Sequence, residues 1–132
     1  LKPTDFLGAP PAAGRGALFE RRVLVIEDEY FIADEIREFL ADQGAEILGP
    51  VADMENGLHL LEQGIVHCAV LDINLGGQSV FPLARALRAR EVPWIYVTGY
   101  ELPRIPEGLQ GEAYLEKPVN KMALIRALER LV

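Results

Sequence analysis

Five residues of this sequence carry side chains suited to phosphate or metal chemistry, and each sits where a short apolar run ends. Glu27 and Asp28 follow Val23-Leu24-Val25-Ile26. Asp72 closes His67-Cys68-Ala69-Val70-Leu71. Thr98 follows Pro93-Trp94-Ile95-Tyr96-Val97, and Lys117 comes just after Ala113-Tyr114-Leu115. Three carboxylates brought together repel, so one must hold a proton or a cation must bind among them. An oxygen-only ligand set favours Mg2+, Mn2+ or Ca2+ over zinc, and a Mg2+ held by few protein oxygens keeps positions open for water and phosphate. The ammonium and the hydroxyl would then meet phosphate oxygens. An aspartate beside such an ion can attack phosphorus and carry an acyl phosphate. The residue types therefore point to phosphoryl chemistry on an aspartate.

The elements between these residues explain how they would meet. The runs that precede them are continuous and rich in β-branched residues, as in strands buried on both faces. Ala45 to Val51 reads as a further, weaker strand. Between the strands the apolar period changes. Ile32, Ile36, Phe39 and Leu40 make one face of a helix that Gly44 stops. Asp53 caps a second helix through Leu58, Leu60 and Leu61, and Gly64 ends it. Ser79 to Arg90 make a third, with Pro82 tolerated in its first turn. Asn120 caps a last helix carrying Leu124, Ile125, Leu128 and Leu131. Strands alternating with helices mean a five-stranded parallel sheet covered on both faces, an α/β fold. Such sheets bind ligands beyond the carboxyl ends of their strands, where the strand order reverses. Gly99 to Glu112 holds five Gly and Pro residues. The fourth connection is thus expected to be a loop with at most a turn or two, so that the fourth helix is shortened or absent.

The 132 residues amount to one domain. Residues 1–21 read as a flexible arm or linker rich in Pro, Gly and Ala, and 22–132 as the folded unit. Within the arm, Phe6, Leu7, Leu18 and Phe19 can dock on the domain or serve as spacers. The formal net charge of −7 argues against direct nucleic-acid binding. One cysteine and two histidines exclude a disulfide framework and a Cys-rich zinc site, and leave little for a His-based one. No apolar run approaches the ~20 residues of a membrane span, and no secretory signal is evident. A cytoplasmic location is expected. There is no P-loop or dinucleotide fingerprint.

Taken in order, VLVIEDE (23–29), VLDINL (70–75), VTGY (97–100) and YLEKPV (114–119) resemble the response-regulator receiver domain of bacterial two-component signalling. The resemblance runs from Arg22 to Val132. It implies a flavodoxin-like (βα)5 doubly wound sheet, a phosphoprotein module of phosphorelay signal transduction, and Mg2+ as cofactor with Mn2+ as a substitute. Asp72 resembles the phospho-acceptor. Asp28 resembles the acid that ligates the metal directly, and Glu27 the acid that acts through water. Asn74 matches the position whose backbone carbonyl completes the metal site. Thr98 resembles the switch hydroxyl, Lys117 the lysine that pairs with acceptor and phosphate, and Tyr114 the aromatic switch. The implied partners are a histidine kinase or histidine phosphotransfer protein and a downstream protein that the sequence does not name.

Two departures accompany the resemblance. Many receivers carry proline four residues after the acceptor, where this chain has Gly76. Thr98-Gly99-Tyr100 is similar to a stretch in a sub-group of receivers with a degenerate fourth helix. No external substrate is expected, only self-phosphorylation and autodephosphorylation. The alternatives are a pseudo-receiver that binds partners without phosphorylation, and a small Mg2+-dependent aspartyl-phosphate phosphatase. Against the latter, Asn74 stands where a second aspartate would be expected. Glu29 reads as a first-turn helix acid that complements the helix dipole. Tyr100 reads as loop packing, Cys68 as core, and His59 and His67 carry no role.

Overall fold

Why the central runs must be strands is visible in how they are buried. The computed structural model of the chain describes residues 16–99 and 103–132. In it the sheet comprises β1 (Arg22–Ile26), β2 (Glu46–Val51), β3 (Cys68–Asp72), β6 (Trp94–Thr98) and β7 (Tyr114–Glu116). All are parallel, in the order β2-β1-β3-β6-β7. Side chains alternate across the sheet with the period of two that a pleated strand imposes. Leu24, Ile26, Ala69, Leu71, Trp94 and Tyr96 face one apolar cluster; Val23, Val25, Cys68, Val70, Ile95 and Val97 face the other. Helices α2 (Met54–Glu62) and α3 (Phe81–Ala89) close the first cluster through Leu61, Leu83 and Leu87. Helices α1 (Tyr30–Ala41) and α4 (Lys121–Glu129) close the second through Ile36, Leu40, Leu124 and Leu128.

The helix ends follow the local sequence. Asp53 and Asn120 accept from the backbone N–H groups of Asn56 and Ala123, so both expected N-caps form. Gly44 takes φ 82°, and Ala45 and Gly44 donate to the carbonyls of Leu40 and Ala41, the paired bonds that end α1. Helix α3 ends with the same pair, Val92 N–H donating to the Leu87 carbonyl and Glu91 N–H to that of Arg88, and here Glu91 takes φ 59° without a glycine's freedom. Leu18 is fully buried in the second cluster, tied by its N–H to the Gln43 carbonyl; Phe19 is exposed.

Helix α3 starts two residues later than its apolar pattern suggests. Asn74–Leu75 (β4) and Gln78–Ser79 (β5) pair as a small antiparallel hairpin instead. Gly76 and Gly77 form its two-residue turn with φ 57° and 91°, the double positive φ that such a turn needs. Proline is locked near −65° and could not stand at 76, so the glycine there follows from the hairpin. The fourth connection contains no helix among its described residues, 99 and 103–113, only a turn at 107–108. It is pinned to β6 by the Tyr96 hydroxyl donating to the Leu109 carbonyl at 2.6 Å, and by bonds from Glu112 N–H to Trp94 and from Tyr96 N–H to Ala113. Tyr100 lies outside the described residues.

Candidate functional site

The strand order reverses between β1 and β3, which places the crevice beyond their carboxyl ends. The parallel ladder carries on past the formal ends of the strands and holds the site there. Glu27 N–H donates to Val51, Ile73 N–H to Val97, and Lys117 N–H to Thr98, each near 3 Å. Each side chain of interest therefore leaves a backbone already fixed by the neighbouring strand.

Glu27, Asp28 and Asp72 present carboxylate oxygens that all lie within 4.8 Å of one another. Glu27 and Asp72 are buried and Asp28 is exposed. Lys117 Nζ reaches Glu27 Oε2 at 3.1 Å, Asp72 Oδ2 at 3.3 Å and Glu29 Oε1 at 3.0 Å. Asp72 Oδ1 accepts from the Asn74 N–H at 3.1 Å. Thr98, nearly buried, lines the same cleft of about 630 Å³ along with Asp72, Asn74, Lys117, Glu29 and Phe81. The Lys117-Pro118 bond is cis.

One ammonium does not balance this much negative charge. Burial, then the hydrogen bond and charge of Glu27, push Asp72 up to about 6. Burial and the neighbouring Asp72 also raise Asp28. For Lys117, burial alone would lower the ammonium's pKa, but Glu29, Glu27 and Asp72 outweigh it and hold the group above the ordinary lysine value. Glu27 Oε1 is buried and has no hydrogen-bond partner among the described residues. A buried, unpaired carboxylate oxygen beside two further carboxylates is an environment that a hard divalent cation satisfies. The donor set therefore fits such an ion.

Two of the residues singled out from sequence are placed differently from the rest. The Asn74 side chain accepts from Gly77 N–H and so serves the hairpin turn, while its backbone N–H holds Asp72. Tyr114 is not among the residues lining the cleft; it stacks on Tyr96 at 5.6 Å and is half-exposed. Two features escaped the sequence reading. Glu29 stands at the N-cap of α1 but makes no side-chain cap bond, and its carboxylate goes to Lys117. Gly76 lies so near Asp28 that a Cβ there would be 3.3 Å from Oδ2. The run of three acids facing a lysine was the available signal for Glu29. For Gly76 there was none.

Fold and site together define a parallel α/β module with an acidic, lysine-bearing crevice at its switch point. The family model for the response regulator receiver domain matches residues 23–129, and the chain belongs to that family. Among curated proteins, it is 27% identical over 126 residues to the transcriptional regulatory protein PdtaR of Mycobacterium tuberculosis, covering 92% of this chain and 62% of that protein. It is 34% identical over 122 residues to the transcriptional regulatory protein AruR of Pseudomonas aeruginosa, covering 84% of this chain and 49% of the other. The chain thus spans less than two thirds of either relative. Among solved structures, it resembles SdrG from Sphingomonas melonis Fr1 with TM-score 0.74 and 32% identity, covering 88% and 98% of the two chains. A CheY-like receiver domain protein from Methanospirillum hungatei JF-1 matches with TM-score 0.72 and 27% identity, covering 84% and 92%. Receiver domains work with histidine kinases and are not ordinarily enzymes with a separate substrate. Among the described residues no helix is long and apolar enough to cross a membrane.

Proposed function

We propose that Asp72 accepts a phosphoryl group from the phosphohistidine of a histidine kinase or phosphotransfer protein, and that the modification switches a surface read by a downstream protein in the cytoplasm. The observation that carries this reading is the buried Asp72 carboxylate held 3.3 Å from Lys117 at the floor of an open cleft. Asn74 N–H fixes one Asp72 oxygen. A carboxylate oxygen attacks phosphorus as the bond from phosphorus to the donor nitrogen breaks, and the electron pair leaves with the imidazole. Lys117 offsets charge on the phosphoryl oxygens. Glu27, Asp28, Asp72 and the Asn74 carbonyl would hold Mg2+, or Mn2+ in its place. Bound there, the ion supplies positive charge against the acids and the phosphoryl oxygens.

Phosphorylation adds about −1.5 to −2 charge and strong acceptor oxygens. Thr98 lines the cleft and ends the strand whose Tyr96 hydroxyl pins the 103–113 segment. A shift of Thr98 toward the phosphoryl group would be felt along that segment, and Tyr114 on the neighbouring strand would move with it. The receiver unit is residues 22–132. Of the arm, residues 1–21, the described residue Leu18 packs into the second cluster.

The test is intact mass after incubation with acetyl phosphate and Mg2+, beside an Asp72→Asn control. Gain of one phosphoryl group by the parent alone, abolished by EDTA, is expected. No gain with either acetyl phosphate or a phosphohistidine donor would point instead to a pseudo-receiver, and turnover of a small phosphate monoester to a phosphatase.

A further inference from the structure

An ammonium has three N–H donors, and Lys117 has three carboxylate partners: Glu29, Glu27 and Asp72. No donor remains for a phosphoryl oxygen. Accepting the phosphoryl group described above therefore requires Lys117 to give up a bond, and the three bonds are not equally easy to release. The Glu27 side chain is 1% exposed and already has one oxygen without a partner. Taking the ammonium away would leave a buried, uncompensated charge. The Glu29 side chain is 58% exposed, so water can solvate its carboxylate as the bond opens.

The connections of Glu29 also form a closed ring. Its N–H donates to Glu27 Oε2 at 2.9 Å, Lys117 Nζ donates to that same oxygen, and Lys117 returns to Glu29 Oε1. The two shorter Lys117 bonds are thus on the Glu27–Glu29 side, and the longest, 3.3 Å, is to Asp72.

We propose that Glu29 is a positioning residue, a releasable counter-ion that holds Lys117 in the resting state and competes with the incoming phosphoryl group for it. The inference rests on the phospho-acceptor reading of Asp72. In the transfer, an Asp72 oxygen bonds to phosphorus while the phosphorus–oxygen bond of acetyl phosphate breaks, and acetate leaves with the electron pair. Lys117 then exchanges its Glu29 bond for a phosphoryl oxygen. Nothing else is consumed.

The test compares the wild type with Glu29→Gln and Glu29→Asp. Phosphorylation by acetyl phosphate in Mg2+ buffer is followed by intact mass, and the Lys117 Nζ proton signal is followed by NMR without any phosphodonor. Glutamine keeps the length and loses the charge. Aspartate keeps the charge and is one methylene too short to reach. Both variants are expected to gain the phosphoryl group about two- to fivefold faster, the range that the loss of an exposed ion pair allows. Both are also expected to show faster solvent exchange at Lys117 Nζ. If Glu29 acted only by repelling the anionic donor, Glu29→Asp would keep the wild-type rate. If it acted only on the start of α1, all three rates would be equal. Either result overturns the proposal, as does a change in the Nζ signal with no change in rate. A wild type that gains no phosphoryl group overturns the phospho-acceptor reading as well, which separates the two failures.

Discussion

Replacing Asp72 with asparagine should make the metal-free protein more stable at neutral pH, although it removes the proposed phospho-acceptor. Asp72 is raised from 3.8 to about 6 by burial and by Glu27. A carboxyl whose folded pKa is raised contributes stability that is present below pH ~4 and lost as pH rises through ~6. At pH 7.5 the folded state therefore carries the full cost of keeping Asp72 ionised. Roughly two pKa units correspond to about 3 kcal/mol. The open cleft screens part of this, and the variant gives up the contact with Lys117, which together offset about half. A net gain of ~1–2 kcal/mol remains, or about 4–8 °C in Tm for a domain of this size. Asparagine can still accept from Asn74 N–H, so the hairpin after β3 keeps its anchor. The assay is calorimetric unfolding of both proteins in EDTA at pH 7.5 and at pH 4. The difference should be present at the first pH and vanish at the second. Adding Mg2+ at pH 7.5 should narrow it, because a ligand bound by the native state stabilises the parent more. An asparagine variant less stable than the parent at pH 7.5 in EDTA, or a gain equal at both pH values, would refute the charge-crowding account.

Lys117→Met should cost about 3–5 kcal/mol in the unfolding free energy from urea titration in EDTA, because Glu27 keeps a buried charge without its cation; Mg2+ should restore part of it. Tyr96→Phe leaves the Leu109 carbonyl without the hydroxyl's bond, so a loss of about 1–3 kcal/mol is expected, with faster amide exchange across 103–113. Equal exchange there would show that the hydroxyl does not hold the segment. Glu91→Gly relieves a left-handed backbone at the end of α3 and should stabilise by about 1 kcal/mol in chemical denaturation.

Much of the fold was legible because each signal is local. Apolar runs of about five residues, Asp53 and Asn120 as caps, and Gly44 as a helix stop depend on a few neighbouring residues, and the structure forms each of them. The Gly and Pro residues of 99–112 likewise disfavour a helix by their own backbone preferences. The hairpin at 74–79 was missed because Val80 continues the apolar pattern of α3 and Ser79 before it can open a helix as readily as close a hairpin. The turn at Gly76-Gly77 instead draws Gln78 and Ser79 back against Asn74 and Leu75.

The sequence by itself determined which residues end the strands, and hence that Glu27, Asp28, Asp72, Thr98 and Lys117 would share one edge of a parallel sheet. That follows because strand ends in such a sheet are coplanar whatever the connections do. Only the tertiary structure decided how the charges are distributed among them. Lys117 is separated from Glu29 by most of the chain, and whether its three donors go to Glu27, Asp72 and Glu29 depends on distances of a few tenths of an ångström. Burial then sets the energetic consequence, since the same ion pair is weak at Glu29, where water reaches it, and strong at Glu27, where it does not.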